Sequence, residues 1–336
     1  MKVSASPLTL NLRTTFRVAH GASDQRFNVL CQVDGGLGEA AVVPYYGDTQ
    51  EGILAYLSQL DPLPAGDPAL IDDVLAGLPT GSPAARAAVD IALHDLWGKQ
   101  LGQPLYRLFG LNPQRIPQTS FTIGIDEPHR MAERARLADY PILKIKLGSS
   151  QDEDILAALR AATTARLRVD ANAGWTFEQA AALIPRLVQY DLEFIEQPLP
   201  RGDIEGVRRL RQQLHRAGIK VPIFVDESVR TARDVAAHAG AVDGVVIKLM
   251  KTGGLREALR AIHTARALDM QVMLSCMVES SIGVTAAAHL APLCDFIDLD
   301  GPLLISNDPY QGVQYQGANL TLPDRPGLGV IPKISP

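Results

Sequence analysis

Between residues 119 and 300 one unit repeats eight times: a short apolar run that reads as a strand, then a stretch with helical spacing of its apolar residues. Successive strands begin 21 to 30 residues apart. The runs are TSFTIGI from Thr119, ILKIKL from Ile142, RLRVDA from Arg166, EFIEQP from Glu193, IFVDES from Ile223, GVVIKL from Gly244, QVMLSC from Gln271 and FIDLD from Phe296. Strands this apolar are buried on both faces, and parallel neighbours need a crossover of the length seen between them. Eight such units predict an α/β barrel. An open doubly wound sheet is the alternative, but no glycine-rich phosphate turn follows the first strand. After the last strand, GPLLISNDPYQG is crowded with turn residues, so the ring is expected to end without an eighth full helix, as a (β/α)7β variant of the TIM barrel.

The flanks follow another pattern. Residues 1–48 alternate like antiparallel strands, with Asp34-Gly35-Gly36 as a tight turn. Helices are expected over 50–60 and 82–100, the second with Ser82 as N-cap, Pro83 at its first position and Gly102 after its end. An α+β capping domain over 1–115, completed by 305–336, is therefore predicted on a barrel over 116–304. A net charge of −5 offers no surface for nucleic acid, and Arg208, Arg209, Arg211 and Arg216 read as a solvated helix face. Three scattered cysteines, no apolar leader in the first twenty residues and no run of membrane-spanning length predict a cytoplasmic chain without a membrane partner, with self-association into a homo-oligomer left open.

Charges stand at the C-terminal ends of six strands, where barrels of this kind carry their chemistry. They are Lys144 and Lys146, Asp170, Glu196, Asp226, Lys248, and Asp298 with Asp300. Singly, each reads as a helix cap or a rim charge. Together they converge on one mouth. Three carboxylates on consecutive strands suit a hard divalent ion such as Mg²⁺, and the lack of His or Cys speaks against zinc. A glycosidase would use two carboxylates, Glu196 and Asp226, but needs neither the third nor the lysines. Strands two and six lie on opposite sides of an eight-stranded ring. Lys146 and Lys248 could thus take a proton from one face of a carbon and return it to the other, if metal, neighbouring ammonium and burial lower a lysine pKa. Lys144 would serve as a fixed positive charge.

The motifs KIK, VDAN (169–172), IEQPL (195–199), VDES (225–228) and IKLMKTGG (247–254) together resemble the enolase superfamily, most closely its muconate lactonizing branch. RAAVDIALHDLWGKQLGQPLYRLFG before the barrel and PGLG near the end extend the resemblance over nearly the whole chain. It implies one Mg²⁺ per subunit held by Asp170, Glu196 and Asp226, with Asn172 and Gln197 orienting them, and loss of a proton α to a carboxylate, the chemistry known for that superfamily. The branch includes cycloisomerases, o-succinylbenzoate synthases and N-acylamino acid racemases. IDLDGP places Asp298 and Asp300 on one face of a strand, fit for an ammonium group, and resembles the dipeptide epimerases. It implies inversion at the C-terminal residue of a dipeptide, with Thr122, Cys276 and Val278 facing substrate and His20 in the capping loop near its side chain. A metal-binding barrel without catalysis is the remaining alternative.

Overall fold

The computed structural model describes residues 1–18, 21–63, 67 and 69–333. The N-terminal part is an antiparallel sheet of β1 (Val3–Val18), β2 (Gly21–Val33) and β3 (Gly36–Ala40), followed by α1 (Gln50–Ser58), α2 (Ile71–Ala76), α3 (Pro83–Leu101) and α4 (Leu105–Leu108). Ser82 caps α3 by accepting from the amides of Ala84 and Ala85, and Gly102 ends it in the left-handed conformation. Strand β3 lies so close to α3 that a Cβ on Gly38 would stand 1.9 Å from the Ala88 carbonyl oxygen.

The repeat of the sequence forms one parallel sheet in chain order: β4 (Phe121–Ile123), β5 (Ile142–Lys146), β6 (Arg166–Asp170), β7 (Leu192–Glu196), β8 (Ile223–Val225), β9 (Gly244–Ile247), β10 (Gln271–Ser275) and β11 (Phe296–Asp298). A parallel bridge between Thr119 and Ile297 joins its two edges into a barrel. The crossovers are α5 (Pro128–Ala138), α6 (Asp152–Ala162), α7 (Phe177–Leu187), α8 (Ile204–Arg216) and α9 (Ala232–Ala237). They continue with α10 (Leu249–Thr252), α11 (Leu255–Ala267) and α12 (Ser281–Ala288). After β11 comes only one helical turn, α13 (Gly301–Leu304), so the ring is (β/α)7β as the turn residues implied. The remaining chain forms two small ladders, β12 (Tyr310–Gln311) with β15 (Ile331–Pro332) and β13 (Gln314–Gln316) with β14 (Asn319–Thr321). Ser306 and Asn307 hydrogen-bond Asn11 and Thr9 of β1, while Tyr315 donates to the Leu299 carbonyl of the barrel.

The barrel interior is built in layers, as period-two strands demand. Phe194, Phe224, Val246 and Met273 pack with Phe296 in the lower layer. The buried Arg168 guanidinium lies 5.5 and 5.0 Å from the Phe194 and Phe296 ring centroids and donates to Glu193 and to the Ile297 carbonyl. This layer closes the floor. The next inward positions, one pleat higher, carry the charges, with Lys146, Asp170 and Glu196 in direct register on adjacent strands.

Candidate active site

Asp170, Glu196 and Asp226 are buried, and one carboxylate oxygen of each lies within 4.8 Å of the others. The lysines surround them. Lys146 Nζ donates to Asp170 Oδ2 at 2.6 Å, and Lys248 Nζ donates to Asp226 Oδ2 at 2.6 Å. Lys144 Nζ sits 2.9 Å from Glu196 Oε2, 2.9 Å from Asp298 Oδ2 and 3.3 Å from Asp170 Oδ2. The opposed lysines stand four strands apart around the ring, at the end of β5 and just past β9.

The electrostatics divide the three acids. Burial would raise all three pKa values. Lys146 and Lys144 instead hold Asp170 well below the usual carboxylate range, and Lys248 and Lys251 do the same for Asp226. Glu196 goes the other way, because burial and the neighbouring Asp170 outweigh Lys144. Glu196 Oε2 and Asp226 Oδ1 accept no hydrogen bond among the described residues, although the Lys144 and Lys251 ammoniums lie within ion-pair reach. A buried carboxylate set with lone pairs to spare and one member whose charge Lys144 only partly offsets fits a hard divalent cation. Burial lowers the Lys248 pKa while Asp226 and Glu196 raise it above the ordinary lysine value, an acidic field that a divalent cation held by these carboxylates would offset. Lys144 is raised in the same way by Asp298, Glu196 and Asp170.

The supporting residues fall where the turn geometry puts them. Asn172 and Gln197 follow their strands with φ of 45° and 39°, left-handed backbone that bends the chain back over the strand ends. The Asn172 amide donates to Asp170 Oδ1 at 2.9 Å, and its side chain donates to Glu227. Gln197 Oε1 accepts from the amides of Asp226 and Ser228, while Nε2 donates to the Leu199 carbonyl, so one side chain fixes two strand ends.

At the other pole Asp298 ends β11, whereas Asp300 lies past the strand as the residue before α13, and both line the same cavity. Asp298 is already occupied: Ser120 and Thr122 donate to Oδ1, Ser275 and Lys144 to Oδ2. Asp300 accepts from the Thr122 amide at 2.7 Å and pairs with no cation among the described residues. Burial and the Asp298 charge push its pKa up to about 7.

A cavity of about 180 Å³ joins these groups, and Thr122, Cys276 and Val278 line it together with all three lysines. The cap supplies the upper wall with Phe16, Val18, Arg26, Tyr45 and Tyr46. His20 lies outside the described residues. Sequence reasoning missed Lys251, which is buried and donates to the Val246 carbonyl at 3.0 Å and to the Asp226 carbonyl. Its signal was the second lysine of IKLMKTGG. Arg26 flanks the capping loop in the sequence, but neither it nor the two tyrosines could be assigned to the cavity, because their place over it depends on how the cap docks.

Comparison with known proteins agrees with this geometry. The Bacteroides thetaiotaomicron L-Ala-D/L-Glu epimerase is 40% identical over 98% of this chain and 88% of its own length. A hydrophobic dipeptide epimerase of Roseobacter litoralis is 39% identical over 98% of this chain and 99% of its own. The crystal structure of a dipeptide epimerase from Cytophaga hutchinsonii, complexed with Mg and D-Ala-L-Val, superposes with a TM-score of 0.93 at 28% identity, covering 99% of this chain and 96% of that one. Residues 5–110 match the mandelate racemase / muconate lactonizing enzyme N-terminal domain, and residues 128–334 match the enolase C-terminal domain-like family. With both domains matched in order and the charged strand ends in place, the chain belongs to the mandelate racemase / muconate lactonizing enzyme family of the enolase superfamily.

Proposed function

We propose that this protein is a Mg²⁺-dependent dipeptide epimerase that inverts the Cα of the C-terminal residue of an L-Ala-D/L-Xaa dipeptide. The observation that carries the reading is the pair of buried lysines, Lys146 and Lys248, on opposite sides of one acidic triad. Asp170, Glu196 and Asp226 hold the ion, which when bound neutralises charge developing on the substrate carboxylate. One lysine, neutral, takes the Cα proton; the C–H electron pair moves into the carboxyl group. The other lysine, protonated, returns a proton to the opposite face. The two lysines exchange roles between the two substrate isomers. Lys144 adds fixed positive charge beside the acids, and Asp300 takes the substrate ammonium, with Asp298 holding Lys144 in place.

The wall above the reacting carbon carries no charge among the described residues except Arg26, which has no carboxylate in ion-pair reach among them and stacks loosely on Phe16. Such a wall admits apolar and acidic side chains and repels basic ones. Free cysteines, two of them buried, fit a reducing, cytoplasmic setting.

The test is exchange of the α-proton in D₂O with an L-Ala-L-Xaa panel. Exchange with inversion, abolished by chelation of the metal and restored by Mg²⁺, is the expected result. Turnover of an N-acylamino acid or a succinylbenzoate precursor instead, with no dipeptide exchange, contradicts it.

A further inference from the structure

Cap and barrel meet in a buried polar junction that proton transfer does not use. Glu39 lies in β3, a strand otherwise without polar side chains, and is fully buried. Its carboxylate crosses into the barrel. Oε1 accepts from the Ser280 amide at 3.0 Å, and Oε2 accepts from Ser280 Oγ at 2.6 Å and the Gly283 amide at 3.1 Å. These donors open α12, where a helix leaves amides without partners and favours an anion. Beside it, the fully buried Asn28 of β2 uses both ends of its amide. Nδ2 donates to Glu39 Oε1 at 2.8 Å and to the Val278 carbonyl at 3.0 Å, and Oδ1 accepts from the Val42 amide at 3.3 Å.

The two main-chain groups that Asn28 joins belong to the barrel part and the cap part of the cavity's surround. Val278 lines the cavity from the barrel. Val42 leads directly into Val43, Tyr45 and Tyr46, which line it from the cap. The barrel wall is braced from behind. A Cβ on Gly301 would come within 3.0 Å of the Glu279 carbonyl and 3.2 Å of the Met277 carbonyl, and Glu279 Oε1 accepts from the Met277 amide at 2.7 Å. The 43–46 segment also meets the barrel through Arg201 on Tyr45 and Arg230 on Tyr46, and Asn28 is the side chain that links the main chain entering it, at Val42, directly to Val278.

We propose that Asn28, oriented by Glu39, is a positioning residue that sets the width of the substrate cavity between Val278 of the barrel and the 43–46 turn of the cap. The inference rests on the reading of that cavity as a dipeptide site. Among side chains of this size only an amide offers two donors and an acceptor in one plane. Aspartate loses both donors and sets a second anion against Glu39. Alanine removes the Asn28 bond from two main-chain groups and one of the two donors to Glu39 Oε1.

The experiment is Asn28→Ala in the full-length, Mg²⁺-loaded protein, with Asn28→Ser read by the same criteria if the alanine variant does not fold. KM for L-Ala-L-Leu and L-Ala-L-Glu is expected to rise about tenfold or more, the equivalent of one lost hydrogen bond of this kind, with kcat changed by less than about threefold. Ligand-free amide hydrogen exchange is expected to accelerate at residues 276–280 and 41–46 together. An unchanged KM in an enzyme that turns these dipeptides over, or a fall in kcat alone, overturns the proposal. Unaltered exchange protection overturns it whatever the wild type turns over. Failure of the wild type to act on either dipeptide counts instead against the functional reading.

Discussion

Single side chains decide which pole of the cavity does what. Asp298 is saturated by Lys144 and three hydroxyls, so in the proposed reading the substrate ammonium would fall to Asp300, whose carboxyl burial and the Asp298 charge push up to about 7. A dipeptide ammonium loses its proton near pH 8. Binding is thus tightest between these values, and below about 7 KM should rise roughly tenfold per pH unit, as for linkage to one proton. Asp300→Asn should weaken binding at pH 7.5 by about tenfold and flatten the acid limb of the KM profile. A wild-type KM that is level from pH 7.5 to 6 contradicts this assignment. Arg26 makes a second residue-level prediction. As the one cation outside the lysine set among the described lining residues, it should make L-Ala-L-Lys a poor substrate. Arg26→Met should raise kcat/KM for that dipeptide relative to L-Ala-L-Leu and lower it for L-Ala-L-Glu. An unchanged ranking of the three would remove Arg26 from the substrate's surroundings.

Among the elements, the barrel strands were legible and the docking of the cap was not. Alternation in ILKIKL and RLRVDA placed Lys144, Lys146 and Asp170 on the inward face, and the register of β5, β6 and β7 keeps 146, 170 and 196 side by side. The capping signals of α3 also sufficed, because they are local. Asp300 reads from the sequence as part of the strand, because FIDLD is continuous, whereas the glycine and proline after it turn the chain into α13. Glu39 and Asn28 escaped notice because their partners lie in β10–α12, roughly 240 to 250 residues along the chain. Their signal was a charged residue in β3, a strand buried throughout, and an amide residue directly before the buried Val29 and Cys31 of β2.

The same junction contains Glu279, which burial and Glu39 push up to about 8. Between its unfolded value and that pH, the unfolded chain binds fewer protons than the folded one, so stability falls as pH rises. Glu279→Gln keeps an acceptor for the Met277 amide and removes the ionisation. Its Tm should exceed that of the wild type at pH 8 and match it more closely at pH 5. A wild-type excess at pH 8 would show that the carboxylate form is favoured in the fold.

On the scale of the whole molecule, a barrel supplies rigid, oppositely placed strand ends and a cap supplies a wall that closes over them. The floor of phenylalanines around Arg168 excludes water from below, which keeps the charged layer in a low-dielectric setting and makes each ion pair there consequential. No described helix is long and apolar enough to cross a membrane. The central claim is that two lysines address two faces of one carbon, and each can be removed separately. Single-turnover deuterium incorporation should therefore be followed with L-Ala-L-Xaa and L-Ala-D-Xaa in Lys146→Ala and Lys248→Ala, with Mg²⁺ present. Epimerisation should vanish in both variants, while residual α-exchange persists with a different isomer in each. Exchange of the same isomer by both variants, or epimerisation surviving in either, would contradict the two-sided arrangement.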